Sequence, residues 1–180
     1  MLLPVTTKNM EHRLTVAARC ANNPVYREAI LRVCKSDILF WINTFVSIQN
    51  PRWNEPVIPF VTFPYQDRFI SWMMSGLRAH RTQVVLKSRE MGFTWLAAAV
   101  VAWLSMFYPN WISYMMSLTE KVIDNRTINS LFGKVRWIIG AQPEWMRQGW
   151  VNRGEGIDKL MEINFPNNFS LIEGVLSKST

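Results

Sequence analysis

The sequence predicts an α/β fold, a parallel sheet flanked by helices, because short β-rich runs alternate along it with helical ones. Residues 82–86, Thr-Gln-Val-Val-Leu, read as a strand ending at a charged turn, and a helix-forming run rich in Ala and Leu starts at Trp95. Residues 111–116, Trp-Ile-Ser-Tyr-Met-Met, read as the next strand. Residues 159–165 and 169–176 alternate in polarity around Pro166-Asn167-Asn168, so they read as a hairpin.

In chain order, the first third is helical. Asn23 followed by Pro24 supplies an N-cap and a proline at the first helical position, opening a helix over 25–35. Ser36-Asp37 caps a second helix over 38–48, apolar nearly throughout and therefore buried. Pro51, Pro56, Pro59 and Pro64 mark 51–64 as an extended connector, which separates a helical segment, 1–50, from the remainder, 65–180. Pro64 also opens a helix whose apolar stripe is Tyr65, Phe69, Trp72, Met73 and Leu77, with Gln66, Asp67 and Arg68 off it. After the strand at 111–117, a single amphipathic helix is expected from Thr119 to Ile139.

The 180 residues allow one domain with a full core, and 49% hydrophobic against 18% charged residues excludes a disordered chain. Nine tryptophans and ten phenylalanines suit a bulky core better than a set of base-stacking platforms. The net charge of +7 and pI near 9.8 favour anionic partners. No dense basic run exists; Arg78, Arg81, Lys87, Arg89, Lys134, Arg136, Arg147 and Arg153 are scattered, as on a broad basic face. Cys20 and Cys34 match neither a zinc cluster nor a redox pair and are expected to be reduced and buried in a cytosolic protein. His12 and His80 lack metal-ligand spacing. The uncharged stretch 95–119 is long enough to raise a membrane span, but Pro109-Asn110 cuts it, and a buried helix followed by a buried strand explains it.

The segment Lys87-Ser88-Arg89-Glu90-Met91-Gly92-Phe93-Thr94 lies between the first strand and the long helix, the layout in which a phosphate meets backbone N–H groups at a helix N-terminus. Against the usual G-x-x-x-x-G-K-[ST] pattern, Gly92 and Thr94 are in place, Phe93 takes the lysine position and Lys87 the first-glycine position. Lys87 or Arg89 would supply the cation, Gly92 the close backbone turn and Thr94 a hydroxyl for magnesium. A charged turn before a buried helix accounts for the same residues.

Several pieces in order resemble the large terminase subunit of tailed double-stranded DNA bacteriophages: Phe40-Trp41-Ile42-Asn43-Thr44-Phe45-Val46, Pro59-Phe60, Phe63-Pro64-Tyr65-Gln66, the loop from Lys87 to Trp95, and Ser130-Leu131-Phe132-Gly133-Lys134-Val135-Arg136. The resemblance implies a P-loop NTPase-like (ASCE/RecA-like) sheet and the front part of the ATPase domain of a motor that couples ATP hydrolysis to translocation of DNA into procapsids. It implies ATP and Mg²⁺ as cofactors. Gln66 would read the adenine edge with Tyr65 or Phe63 nearby, Lys87 would be the displaced loop lysine, and Arg89 would contact the γ-phosphate and help trigger hydrolysis. Ser88, Glu90, Met91, Gly92 and Phe93 would complete the phosphate loop, and Thr94 would ligate Mg²⁺. The implied partners are double-stranded DNA, the small terminase subunit and the portal protein, in the host cell cytoplasm and away from membranes, with oligomers only in the full-length motor.

The family needs an apolar strand ending in Asp-Glu, and none occurs here: Asp158 and Glu162 sit in polar or alternating surroundings, and Glu173 follows Leu171-Ile172 without an aspartate. The acidic pair and the two-metal nuclease domain are therefore expected to be missing from this chain, and hydrolysis by it alone near background. The alternative is a small basic nucleic-acid-binding protein without catalysis.

Overall fold

The computed structural model describes residues 6–49, 57–88 and 91–177. Helix α1 spans Thr6–Asn22, and α2, Pro24–Ser36, begins where Asn23 accepts a hydrogen bond from the Tyr26 N–H. Asp37 closes α2 and caps α3, Ile38–Phe45, by accepting the Phe40 N–H. The latter helix stops short of the expected 48 because Val46 turns extended and Ser47–Gln49 becomes β1, paired antiparallel with β2, Val57–Pro59. Arg13 of α1 clamps this corner by donating to the carbonyls of Ile42, Val46 and Phe60. Burial lowers its pKa to about 10.

Helix α4, Pro64–Arg78, starts at the expected proline but buries a different stripe. Gln66, Ile70 and Met74 are buried, while Trp72 and Leu77 are 44% and 37% exposed. The buried face is thus offset by about one residue from the aromatic one, because Gln66 is satisfied inside, as described below. The helix ends in a Schellman turn: His80, at φ +51°, donates to Leu77 and Arg81 donates to Gly76. Gln83 folds back over Gly76, where a Cβ would collide with its amide, and donates to the Trp72 carbonyl at 2.8 Å.

The strand expected at 82–86 does not form. Val84 and Leu86 are 80% and 96% exposed, and no described strand pairs with this run. A strand exists only through a partner's hydrogen bonds, and here the closing turn of α4 holds the start of the run instead.

The long helix is α5, Phe93–Phe107, followed by β3, Ile112–Ser117. Next come α6, Glu120–Ile123, and α7, Leu131–Gly140, a 3-10 turn at Glu144–Met146, and strands β4, Asp158–Lys159, β5, Glu162–Phe165, and β6, Ser170–Leu176. The sheet runs β3-β6-β5-β4. Only β3 and β6 are parallel; the expected hairpin of β5 and β6 is present, and with β4 it makes the rest antiparallel. The architecture is α/β with a mixed rather than a parallel sheet.

The single helix expected over 119–139 is broken at Asp124. That carboxylate leaves α6 to accept the N–H groups of Arg126 and Met161 and a forked pair of bonds from Arg136, each 2.8 Å. Ser130 then caps α7 by accepting the Gly133 N–H. A Cβ at Gly133 would collide with the Thr127 carbonyl, so the loop can seat on α7 only at a glycine.

Helix α5 is the centre of the molecule, packed against α7, the N-terminal helices and the sheet. Trp103 donates to the Cys34 carbonyl at 2.7 Å, and Trp41 donates to Gln142. Both cysteines are buried free thiols. Asn168 in the hairpin turn donates to the carbonyls of Ser105 and Met106 and thereby occupies the open end of α5. Met115, Ile163 and Ile172 share the buried face of the sheet. β3 was expected to be covered on both faces, yet Ile112, Tyr114 and Met116 are more than half exposed, because no described layer covers that side. Among the described residues no helix is long and apolar enough to cross a membrane.

Candidate functional site

The start of α4 and the start of α5 meet around Gln66. Its Oε1 accepts the Phe63 N–H at 2.9 Å, which is the glutamine half of a capping box; Phe63 has no oxygen with which to return the bond. Its Nε2 donates to the Met91 carbonyl at 3.2 Å. The two bonds fix the amide's orientation, since an N–H must face oxygen and a carbonyl must face N–H. One lone pair on Oε1 and one N–H on Nε2 remain beyond these bonds. Sequence reasoning placed Gln66 on a polar first turn; at 3% exposure it is a buried tether between two helix starts.

Gly92 follows Met91 at φ +72°, the left-handed region, and is the residue from which α5 departs. A Cβ on it would lie 3.0 Å from Gln66 Nε2. No side chain caps α5, and its first internal bond is Leu96 N–H to the Gly92 carbonyl. The N–H groups of Phe93, Thr94 and Trp95 therefore have no partner within the helix, and they carry its positive dipole end. Phe93 is held against Phe69 of α4, ring centroids 5.0 Å apart, so it serves as a packing anchor. Phe63 and Tyr65 stack on each other at 5.7 Å, and the Tyr65 hydroxyl donates to Met91 at 3.4 Å.

Of the residues picked out in the sequence, Gln66, Met91, Gly92, Phe93 and Thr94 are brought together. Lys87 and Ser88 are exposed on the irregular run before them, and the Lys87 ammonium donates to the Ser88 carbonyl at 3.2 Å. Arg89 and Glu90 lie outside the described residues. A cation outside the loop motif is Lys134, whose Nζ sits 5.7 Å from the Trp95 ring while donating to the carbonyls of Ile128 and Asn129; burial lowers its pKa. Its signal in the sequence, a lysine four residues after Ser130, has no meaning until α7 is packed on α5. Asp158 is accounted for structurally, since it accepts Arg136 Nε at 2.6 Å with its side chain fully buried. Among the described residues no group of three or more His, Cys, Asp or Glu side chains could hold a metal.

An uncapped helix start behind a left-handed glycine presents N–H groups of the kind that meet a phosphate. A magnesium ion would find one protein ligand there, the Thr94 hydroxyl, and would take its other oxygens from phosphate and water, which is its usual habit. Compared with known proteins, the chain matches no protein-family model and no curated protein sequence.

Proposed function

We propose that this chain binds ATP through the turn at Gly92, as the ATP-binding portion of a DNA-packaging motor of the large terminase type. The observation that carries the reading is the tether from the buried Gln66 amide to the Met91 carbonyl, which couples an adenine-type glutamine to a left-handed glycine at an uncapped helix start. In this reading the base approaches the free positions of the Gln66 amide, with Tyr65 and Phe63 beside it. The phosphates meet the N–H groups of Phe93, Thr94 and Trp95, and the cations are Lys87 and Arg89. Thr94 would hold the magnesium that accompanies ATP. The chain has no Asp-Glu after an apolar strand, so it binds nucleotide and turns it over at background rate. Double-stranded DNA, the small terminase subunit and the portal protein are its partners in the same proposal.

The test is equilibrium binding of ATP with Mg²⁺ to the chain and to its Lys87→Ala and Thr94→Ala variants. The expected result is measurable affinity that falls in both variants. No binding at millimolar ATP, or binding indifferent to both substitutions, overturns the proposal. Steeply salt-dependent DNA binding without any ATP effect would instead favour a nucleic-acid-binding protein without catalysis.

A further inference from the structure

A second concave feature lies away from Gly92. A cavity of about 490 Å³ opens between α7, the end of β1, the 126–128 loop and the turn at 149–154. That volume is in the range of small-ligand sites. Three arginines, Arg126, Arg136 and Arg153, line it. The carboxylates that accompany them are Asp124 and Asp158, both with fully buried side chains. Arg136 spends Nε, one N–H of the first terminal nitrogen and both of the second on Asp158, Asp124 and the Lys159 carbonyl. Arg126 leans on Asp158 at 3.2 Å, while the exposed Arg153 offers its backbone N–H to the same carboxylate at 2.9 Å. Three cations against two anions leave this wall one positive charge in excess, and the surplus is at the mouth rather than in the pairs.

Two further features mark this wall. Trp150, 3% exposed, lines the cavity with its indole N–H buried and without a hydrogen-bond partner among the described residues. An unpartnered buried donor is rare in a folded protein. Arg126 and Arg153 also hold left-handed backbone, φ +61° and +56°, at positions where glycine or asparagine would be free of strain. The rest of the wall suits a planar heterocycle: Trp137 presents a ring, and the amides of Gln49 and Asn152 each offer a donor and an acceptor.

We infer that this cavity is a second binding site, for a phosphate-bearing nucleotide unit, with the arginines on the phosphate and the tryptophans and amides on the base. The nucleotide comes either free or as one residue of a single strand. None of these residues takes part in the turn at Gly92, so the two proposals stand or fall separately.

The test is the indole N–H signal of Trp150 in ¹⁵N NMR of the whole chain, assigned by its loss in Trp150→Phe. The titration uses a Thr94→Ala background to silence the Gly92 turn, with dAMP, an oligothymidylate and inorganic phosphate as separate probes. The expected result is a saturable shift with dAMP or with the oligonucleotide, weakened roughly tenfold or more by Arg153→Ala, the loss expected for a charge-assisted hydrogen bond. A response to dAMP identifies free nucleotide, and a response to the oligonucleotide alone identifies a strand. Arg153 has no side-chain partner among the described hydrogen bonds and its backbone bond survives in alanine, so this variant keeps the fold. No shift with any probe overturns the inference. So does a shift that inorganic phosphate reproduces at equal affinity, or one that Arg153→Ala leaves unchanged.

Discussion

Replacing Gly92 by alanine tests the geometry of the turn between α4 and α5 through stability alone. Gly92 sits at φ +72°, where an L-residue with a Cβ costs about 1–2 kcal/mol. The new methyl would also lie 3.0 Å from Gln66 Nε2, and Gln66 cannot give way freely because both ends of its buried amide are bonded. Loss of one of those bonds adds about 1 kcal/mol. The total is about 2–3 kcal/mol, and at roughly 2–4 °C per kcal/mol for a domain of this size the melting temperature falls by about 4–12 °C. Gly156 is the internal control: its φ is +70°, yet nothing lies within 4 Å of its added Cβ. Gly156→Ala bears only the backbone cost, so urea unfolding of the two variants should differ by about 1 kcal/mol, with Gly92→Ala the weaker. Equal stabilities, or a Gly92→Ala protein indistinguishable from the parent, would refute the Gln66 contact.

The ion cluster gives two more expectations. Arg136→Leu leaves Asp124 and Asp158 buried without their main partner and should cost roughly 3–5 kcal/mol in urea unfolding. Burial pushes the Asp124 pKa up, but bonds from Arg136 and from the Met161 and Arg126 N–H groups outweigh it and leave the folded value below the ordinary 3.8. A depressed carboxylate stabilises fully above its unfolded pKa and less as pH falls through the folded one, so stability should drop below pH 3.8, and Asp124→Asn should flatten that drop. Burial raises the Cys34 thiol to about 12, and Cys34 is fully buried. Labelling of the Cys34 thiol at neutral pH, read in a Cys20→Ala background, should therefore proceed at the rate of unfolding; its rapid labelling in the native chain would contradict the packing around Trp103.

Local chemistry was legible in the sequence wherever a short motif decides the backbone. Asn23-Pro24 and Asp37 cap helices, Pro166-Asn167-Asn168 turns the hairpin, and Gly92 takes the left-handed turn. What could not be read depends on distant partners. The run 82–86 has strand composition but no described strand to pair with, and Gln83 folds back onto α4 instead. The pattern over 119–139 is helical, yet Asp124 meets Arg136 and Met161 across the fold and ends the helix there. Gln66 was placed off the apolar stripe of its helix because polarity alone does not reveal two bonding partners, one of them 25 residues away. The arginine-lined cavity was invisible for the same reason, its residues being drawn from four stretches between Gln49 and Arg153 that no local spacing connects.

Hydrogen–deuterium exchange of the whole chain, with and without ATP and Mg²⁺, tests the central claim most directly, because it reports where the nucleotide lands. Slowed exchange is expected at the start of α5, at the amides of Phe93, Thr94 and Trp95, together with the first turn of α4 around Gln66. Saturating ATP that leaves both helix starts unchanged, or that protects only the cavity around Trp150, would contradict nucleotide binding at the Gly92 turn.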